Sequence, residues 1–153
     1  MTEARTKMKT LSFATALALA LVAVVGSTAR AESPDDILVV ANNAVGVDKI
    51  SQAEARGLFL KHRKSWSGGG KAIPIHAKSG TSLRADFVRS VLEMAPTEER
   101  YYWEEQKIRK GLEPPVEFSN TLKAVFRLRG SVSYVYRSDY VEGTAKVLLV
   151  IPG

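Results

Sequence analysis

The spacing of apolar and polar positions changes period several times along this chain, and each change predicts an element. Ile37-Leu38-Val39-Val40-Ala41 is a continuous β-prone apolar run, as expected of a strand covered on both faces. Asn42-Asn43 ends it, and Gly46 opens a loop. Asp48-Lys49-Ile50-Ser51 leads into a helix from Gln52 to about Leu60. There Ser51 and Glu54 have the spacing of a capping box, and Ala55, Leu58 and Phe59 mark the buried side. Ala72, Ile73 and Ile75 predict a second strand, and Ser79-Gly80-Thr81-Ser82 a turn. Leu83, Phe87 and Val91 then recur every four residues, with Val88 and Leu92 beside them, which predicts an amphipathic helix.

The second half of the chain is more broken. Ala95-Pro96-Thr97 interrupts, and Thr97-Glu98-Glu99 begins a helix whose acidic first turn suits the helix dipole. It runs to about Lys107 and closes over Lys107–Lys110 and Gly111. Its Tyr101, Tyr102 and Trp103 are expected to pack rather than to line a pocket. Pro114-Pro115 reads as a rigid extended connector. Ser119 or Asn120 caps a further helix, with Leu122, Val125 and Phe126 turned inward. Ser131–Tyr136 (SVSYVY) alternates as a strand does, and Ala145–Ile151 (AKVLLVI) predicts a last strand. The resulting order, β-α-β-α-α-α-β-β, implies an α/β fold with a mainly parallel sheet and helices on both faces. Ligands of such folds sit at strand C-termini and helix N-termini.

The first residues change what the composition means. Arg5, Lys7 and Lys9 precede an apolar run from Leu11 to Gly26, and Ala29-Arg30-Ala31 offers small residues at a cleavage site. Residues 1–31 read as a secretory signal peptide cut after Ala31 rather than as an uncleaved membrane anchor, because the apolar run is short for a full span, and this leaves residues 32–153 as one domain in the periplasm. That leader carries four of the 22 basic residues and one of the 16 acidic ones. The remainder holds 18 against 15, a net charge of +3. Such a mild excess attracts small anions but does not point to nucleic acid. The chain has no cysteine, so disulfide staples and thiolate metal sites are excluded.

The chemistry concentrates at Ser79-Gly80-Thr81. A glycine before a helix start, with hydroxyls around it, can aim backbone N–H groups and side-chain donors at one spot, and the helix dipole adds partial positive charge. Ser79, Gly80, Thr81 and Ser82 are the candidate oxyanion ligands, with Lys78 and Arg84 supplying charge. Against this stands a plainer reading, in which Thr81 or Ser82 merely caps a core helix. Lys61–Lys71 (KHRKSWSGGGK) joins basic residues to Trp66 and three glycines. It is expected to be a solvated turn with Trp66 tucked against the body, not a nucleic-acid contact. His62 and His76 have no metal-ligand spacing, and no nucleophile motif occurs, so neither a metal, a cofactor nor catalysis is expected.

Taken together, "ILVVAN", "LFLKHRKSW", "IPIHAKSGTSLRADF", "YYW", "PP" and "GSVSYVY" resemble the substrate-binding proteins of phosphate ABC transporters. They are most similar to short exported members of that type. The resemblance implies a type II periplasmic-binding-protein lobe, with Ser79, Gly80 and Thr81 as phosphate ligands and a membrane transporter or sensor as partner. Two departures stand out. Ile75, His76, Ala77 and Lys78 occupy the stretch where the receptors carry an Arg and an Asp, and the first-lobe ligand loop is absent unless Asn42–Gly46 replaces part of it. A lone lobe exposes a surface that a second copy can cover. The alternative to an oxyanion-binding protein is an interaction module that kept the fold and lost anion transport.

Overall fold

Ile37–Ala41 forms β1, and all five of its residues are buried, which requires cover on both faces of the sheet. The computed structural model describes residues 29–153; the predicted signal peptide, apart from its last three residues, lies outside the described residues. After β1 come α1 (Gln52–Phe59), β2 (Ile73–Ala77) and α2 (Ser82–Phe87), the last running into a π-helical turn over Val88–Leu92. Then follow α3 (Pro96–Lys110), β3 (Val116–Phe118), α4 (Thr121–Arg127), β4 (Ser131–Tyr136) and β5 (Lys146–Ile151). No helix among the described residues is long and apolar enough to cross a membrane.

The five strands form one sheet in the order β3-β2-β4-β1-β5. β2 pairs parallel with both β3 and β4, whereas β1 pairs antiparallel with β4 and with β5. Four strands therefore share one direction and β1 alone is reversed. Burial encodes that a strand is central but says nothing about its direction, so the reversal was not readable from the apolar run. Alternate residues of β1 divide between two cores. Ile37, Val39 and Ala41 meet Phe59, Phe87, Val88, Leu92 and Trp103 on the face covered by α1, α2 and α3. Leu38 and Val40 meet Ile75, Val125 and Val135 on the face covered by α4. Each large apolar side chain buried this way contributes roughly 1.5–3 kcal/mol before conformational entropy is subtracted.

Ser51 accepts from the Glu54 amide at 3.1 Å while Glu54 accepts from the Ser51 amide at 2.8 Å, so the capping box is present. Asn120, not Ser119, caps α4. Trp66 is buried, and its indole N–H donates to the Gly130 carbonyl at 3.0 Å. Gly130 is required there: its φ is +79°, and a Cβ would lie 2.5 Å from the Lys71 carbonyl oxygen. The expectation that Phe126 points inward is corrected, since it is 57% exposed and only Val125 of that pair is buried. Proline-rich residues 114–115 lead into β3, which the pattern did not predict. Its three residues are all exposed, so no alternation marks it, and it is placed by pairing with β2 alone.

Candidate functional site

At the C-terminal end of β2 the chain must reverse into α2, and the turn is built for that reversal. Gly80 takes φ +83°, which a side chain resists. Thr81 is the N-cap: its hydroxyl accepts from the Arg84 amide at 3.3 Å and donates to the Lys78 carbonyl at 2.7 Å. Its oxygen is thereby committed to capping. Lys78, Ser79, Thr81 and Ser82 are exposed, and a recess of about 440 Å³ opens beside Gly80, Thr81, Ser82 and Arg84.

Arg84 turns back from the helix and is nearly buried. Its Nη1 donates to the Ala77 carbonyl at 2.8 Å and to the Glu117 carboxylate at 3.1 Å. Its Nε and Nη2 grip both oxygens of Glu99, the first at 3.2 Å, in the forked geometry that a guanidinium and a carboxylate share. The Ser79 hydroxyl donates to the same Glu117 oxygen through a short hydrogen bond. That bond, with Arg84 assisting, holds the Glu117 carboxyl below the usual carboxylate range. Two of the predicted ligands, 79 and 84, thus converge on one oxyanion, and the anion belongs to this chain.

Sequence reading missed both carboxylates. Glu99 looked like a dipole-matching acid in the first turn of α3, yet it is 4% exposed and turned onto Arg84. Glu117 lies in the unpredicted β3, and only the parallel pairing His76↔Glu117 brings it beside the turn. Asn42–Gly46, considered as a substitute ligand loop, lies at the other end of the sheet, because Ala41 pairs with Val132 and Val132 with Pro74 at the start of β2. There the Asn42 side-chain amide donates to the Val125 and Phe126 carbonyls and closes the end of α4.

Beneath the turn lies an aromatic cluster. Phe87 stacks on Tyr134 with ring centroids 3.7 Å apart, and Phe59 meets both edge-on. His76 is fully buried among them. Tyr134 oxygen accepts from the Ala77 amide at 3.1 Å and shares a hydrogen bond with His76 Nδ1 at 2.8 Å. His76 Nε2 lies 3.5 Å from Glu99 and makes no hydrogen bond. Burial, with the Arg84 and Lys61 charges adding to it, pushes the His76 pKa well below the ordinary imidazole value. Glu99 does not reverse the shift, because Arg84 already neutralises both of its oxygens.

Below about pH 6.5 the unfolded chain takes up a proton at this histidine that the folded chain refuses. Stability is therefore expected to fall as pH drops through 6.5 toward the lower folded value, with a slope of at most about 1.4 kcal/mol per pH unit from this group. Urea midpoints at pH 7.5, 6.5 and 5.5 test this. The His76→Gln variant should lose that component, and profiles of equal steepness would show that His76 is not its source.

No protein-family profile and no curated protein matches the sequence. Solved structures do match. An ABC-type phosphate transport receptor from Vibrio cholerae superposes with a TM-score of 0.58 at 11% identity, over 76% of this chain and 47% of the receptor. A Clostridium perfringens protein, described as a phosphate ABC transporter substrate-binding protein and solved with bound phosphate, gives 0.57 at 15% identity over 76% and 46%. PstS from Borrelia burgdorferi gives 0.56 at 10% identity over 74% and 46%. The chain spans less than half the length of these proteins. At such identities the likeness is one of fold, and the fold is periplasmic-binding-protein-like.

Proposed function

We infer that the chain is an exported oxyanion-binding protein of the periplasm, with phosphate as its ligand and the turn from Lys78 to Arg84 as its cradle. One observation carries this reading: Ser79 and Arg84 already ligate a carboxylate oxygen together. Donors that converge on one oxyanion are suited to another that displaces it. The bound phosphate in the Clostridium perfringens structure of the same fold supports the choice of ligand. The amides of Ser82 and Leu83, in the first turn of α2, and the ammonium of Lys78 complete the set of donors. On this reading a membrane transporter or sensor receives the loaded protein, the signal peptide directs its export, and the chain performs no catalysis. Because the cradle is open to water and Glu117 competes for it, affinity is modest. Isothermal titration of residues 32–153 with phosphate at low salt is expected to give a saturable heat in the millimolar range, reduced in the Ser79→Ala variant. A folded protein that yields no heat at millimolar phosphate would overturn the reading.

A second reading rests on the same pair of carboxylates. Glu99 and Glu117 together outweigh the single charge of Arg84, as expected if the cradle had become a closed structural knot in an interaction module. That reading gains if Ser79→Ala with Thr81→Ala leaves the cellular role intact.

A further inference from the structure

A second cavity lies at the opposite end of β2, about 16 Å of strand away from Ser79. It has a volume of about 330 Å³, within the range of small-molecule pockets. Its floor is apolar, formed by Pro74, Leu112 and Val116 among others, and its rim carries Lys61, Lys64 and Lys71. The rim is held in place by the basic loop. Ser65 bridges Lys71, the Ala72 amide donates to the Lys64 carbonyl at 3.0 Å, and Trp66 anchors the hairpin to Gly130. Gly69 and Gly70, with φ of +94° and +89°, allow the reversal between the two lysine-bearing arms.

Among the described residues the three rim lysines make no salt bridge. Arg63, which also borders the cavity, is spent on Glu54 at 3.2 Å. Among the described residues no carboxylate lies within salt-bridge distance of Lys61, Lys64 or Lys71. Glu113, the acid that acts on Lys61, is paired with Lys107 at 2.9 Å. Burial, then the nearby Lys71 and Lys64, push the Lys61 pKa down despite Glu113. Lys61 also sits at φ +57°, a left-handed conformation that a non-glycine residue rarely adopts. Three ammonium groups brought together over an apolar floor call for a ligand that brings negative charge and hydrocarbon at once.

We propose that this cavity binds a small amphipathic anion, with the acidic head between Lys61, Lys64 and Lys71 and the apolar body on Pro74, Leu112 and Val116. Inorganic phosphate, which has no apolar part, is not its ligand. The site is independent of the Ser79 turn.

The test uses the anionic naphthalene dye 8-anilinonaphthalene-1-sulfonate with the folded residues 32–153, folding being checked by near-ultraviolet circular dichroism. Saturable fluorescence enhancement is expected. Lys64→Ala with Lys71→Ala should weaken dye binding about tenfold or more, since both side chains are exposed and leave the core untouched. Decanoate should displace the dye, whereas decylamine and inorganic phosphate should not. Ser79→Ala should leave dye binding unchanged, so failure of the phosphate cradle and failure of this site are separable. The proposal is overturned if the native-like protein gives no enhancement, if the double lysine variant binds the dye equally well, if decylamine competes as well as decanoate, or if phosphate alone displaces the dye.

Discussion

Replacing Arg84 by alanine is expected to destabilise the protein by about 3–5 kcal/mol, the typical cost of removing one partner from a buried ion pair. The side chains of Arg84 and Glu99 are 11% and 6% exposed, so Glu99 would be left as an uncompensated charge in a nearly dry site. The Ala77 carbonyl would lose its guanidinium donor as well. Urea midpoints measure the loss. Pairing Arg84→Ala with Glu99→Gln should recover a large part of it, because the orphaned charge is then gone. A single-variant loss below about 1 kcal/mol would place the pair among surface ion pairs and contradict its structural role.

Glu117→Ala should have the opposite character: little loss of stability and a gain in anion affinity. Its side chain is one-third exposed, so its ion pair with Arg84 contributes less than about 1 kcal/mol. Its effect on a phosphate at the cradle is larger. A like charge about 4 Å away costs about 1 kcal/mol in water and more where the site is partly shielded. Removing it, and freeing the Ser79 hydroxyl and Arg84 Nη1, is expected to tighten phosphate binding about tenfold. Glu117→Gln should give a smaller gain, since the amide oxygen can still accept from Ser79. Titration of the three proteins side by side decides the matter. Equal affinities would mean that phosphate does not compete with Glu117 for these donors.

The two variants bear on different parts of one cluster. Arg84 and Glu99 lock the start of α2 to the start of α3, above the aromatic cluster of Phe59, His76, Phe87 and Tyr134. Glu117 reaches the same guanidinium from β3 without being needed for that lock. Of the donors at the turn, Ser79 is the one whose hydroxyl is given over to an anion, and Thr81 the one given over to the backbone. That division turns the two sequence readings of the turn, helix cap and anion cradle, into two roles of adjacent residues.

Elements whose signal is local were legible from the sequence. The continuous run of β1, the Ser51–Glu54 capping box, the Ser-Gly-Thr turn and the alternation of Ser131–Tyr136 each follow from side-chain period or from a hydroxyl within three residues of an amide. So was the apolar face of the helix after Ser82, although not its change to π-helical geometry at Val88, which keeps Val88, Val91 and Leu92 all buried. What only the tertiary structure decided are the relations between elements. The reversal of β1 depends on which neighbours pair with it. β3 exists only as an exposed edge against β2. Glu99 and Glu117 lie 15 and 33 positions from Arg84, where no periodicity connects a carboxylate to its guanidinium. Ser79 and Arg84 could be named as candidate ligands from their own segment, because a turn's donors are local. Which anion they hold in the folded chain is a long-range fact, set by the parallel pairing of β2 with β3.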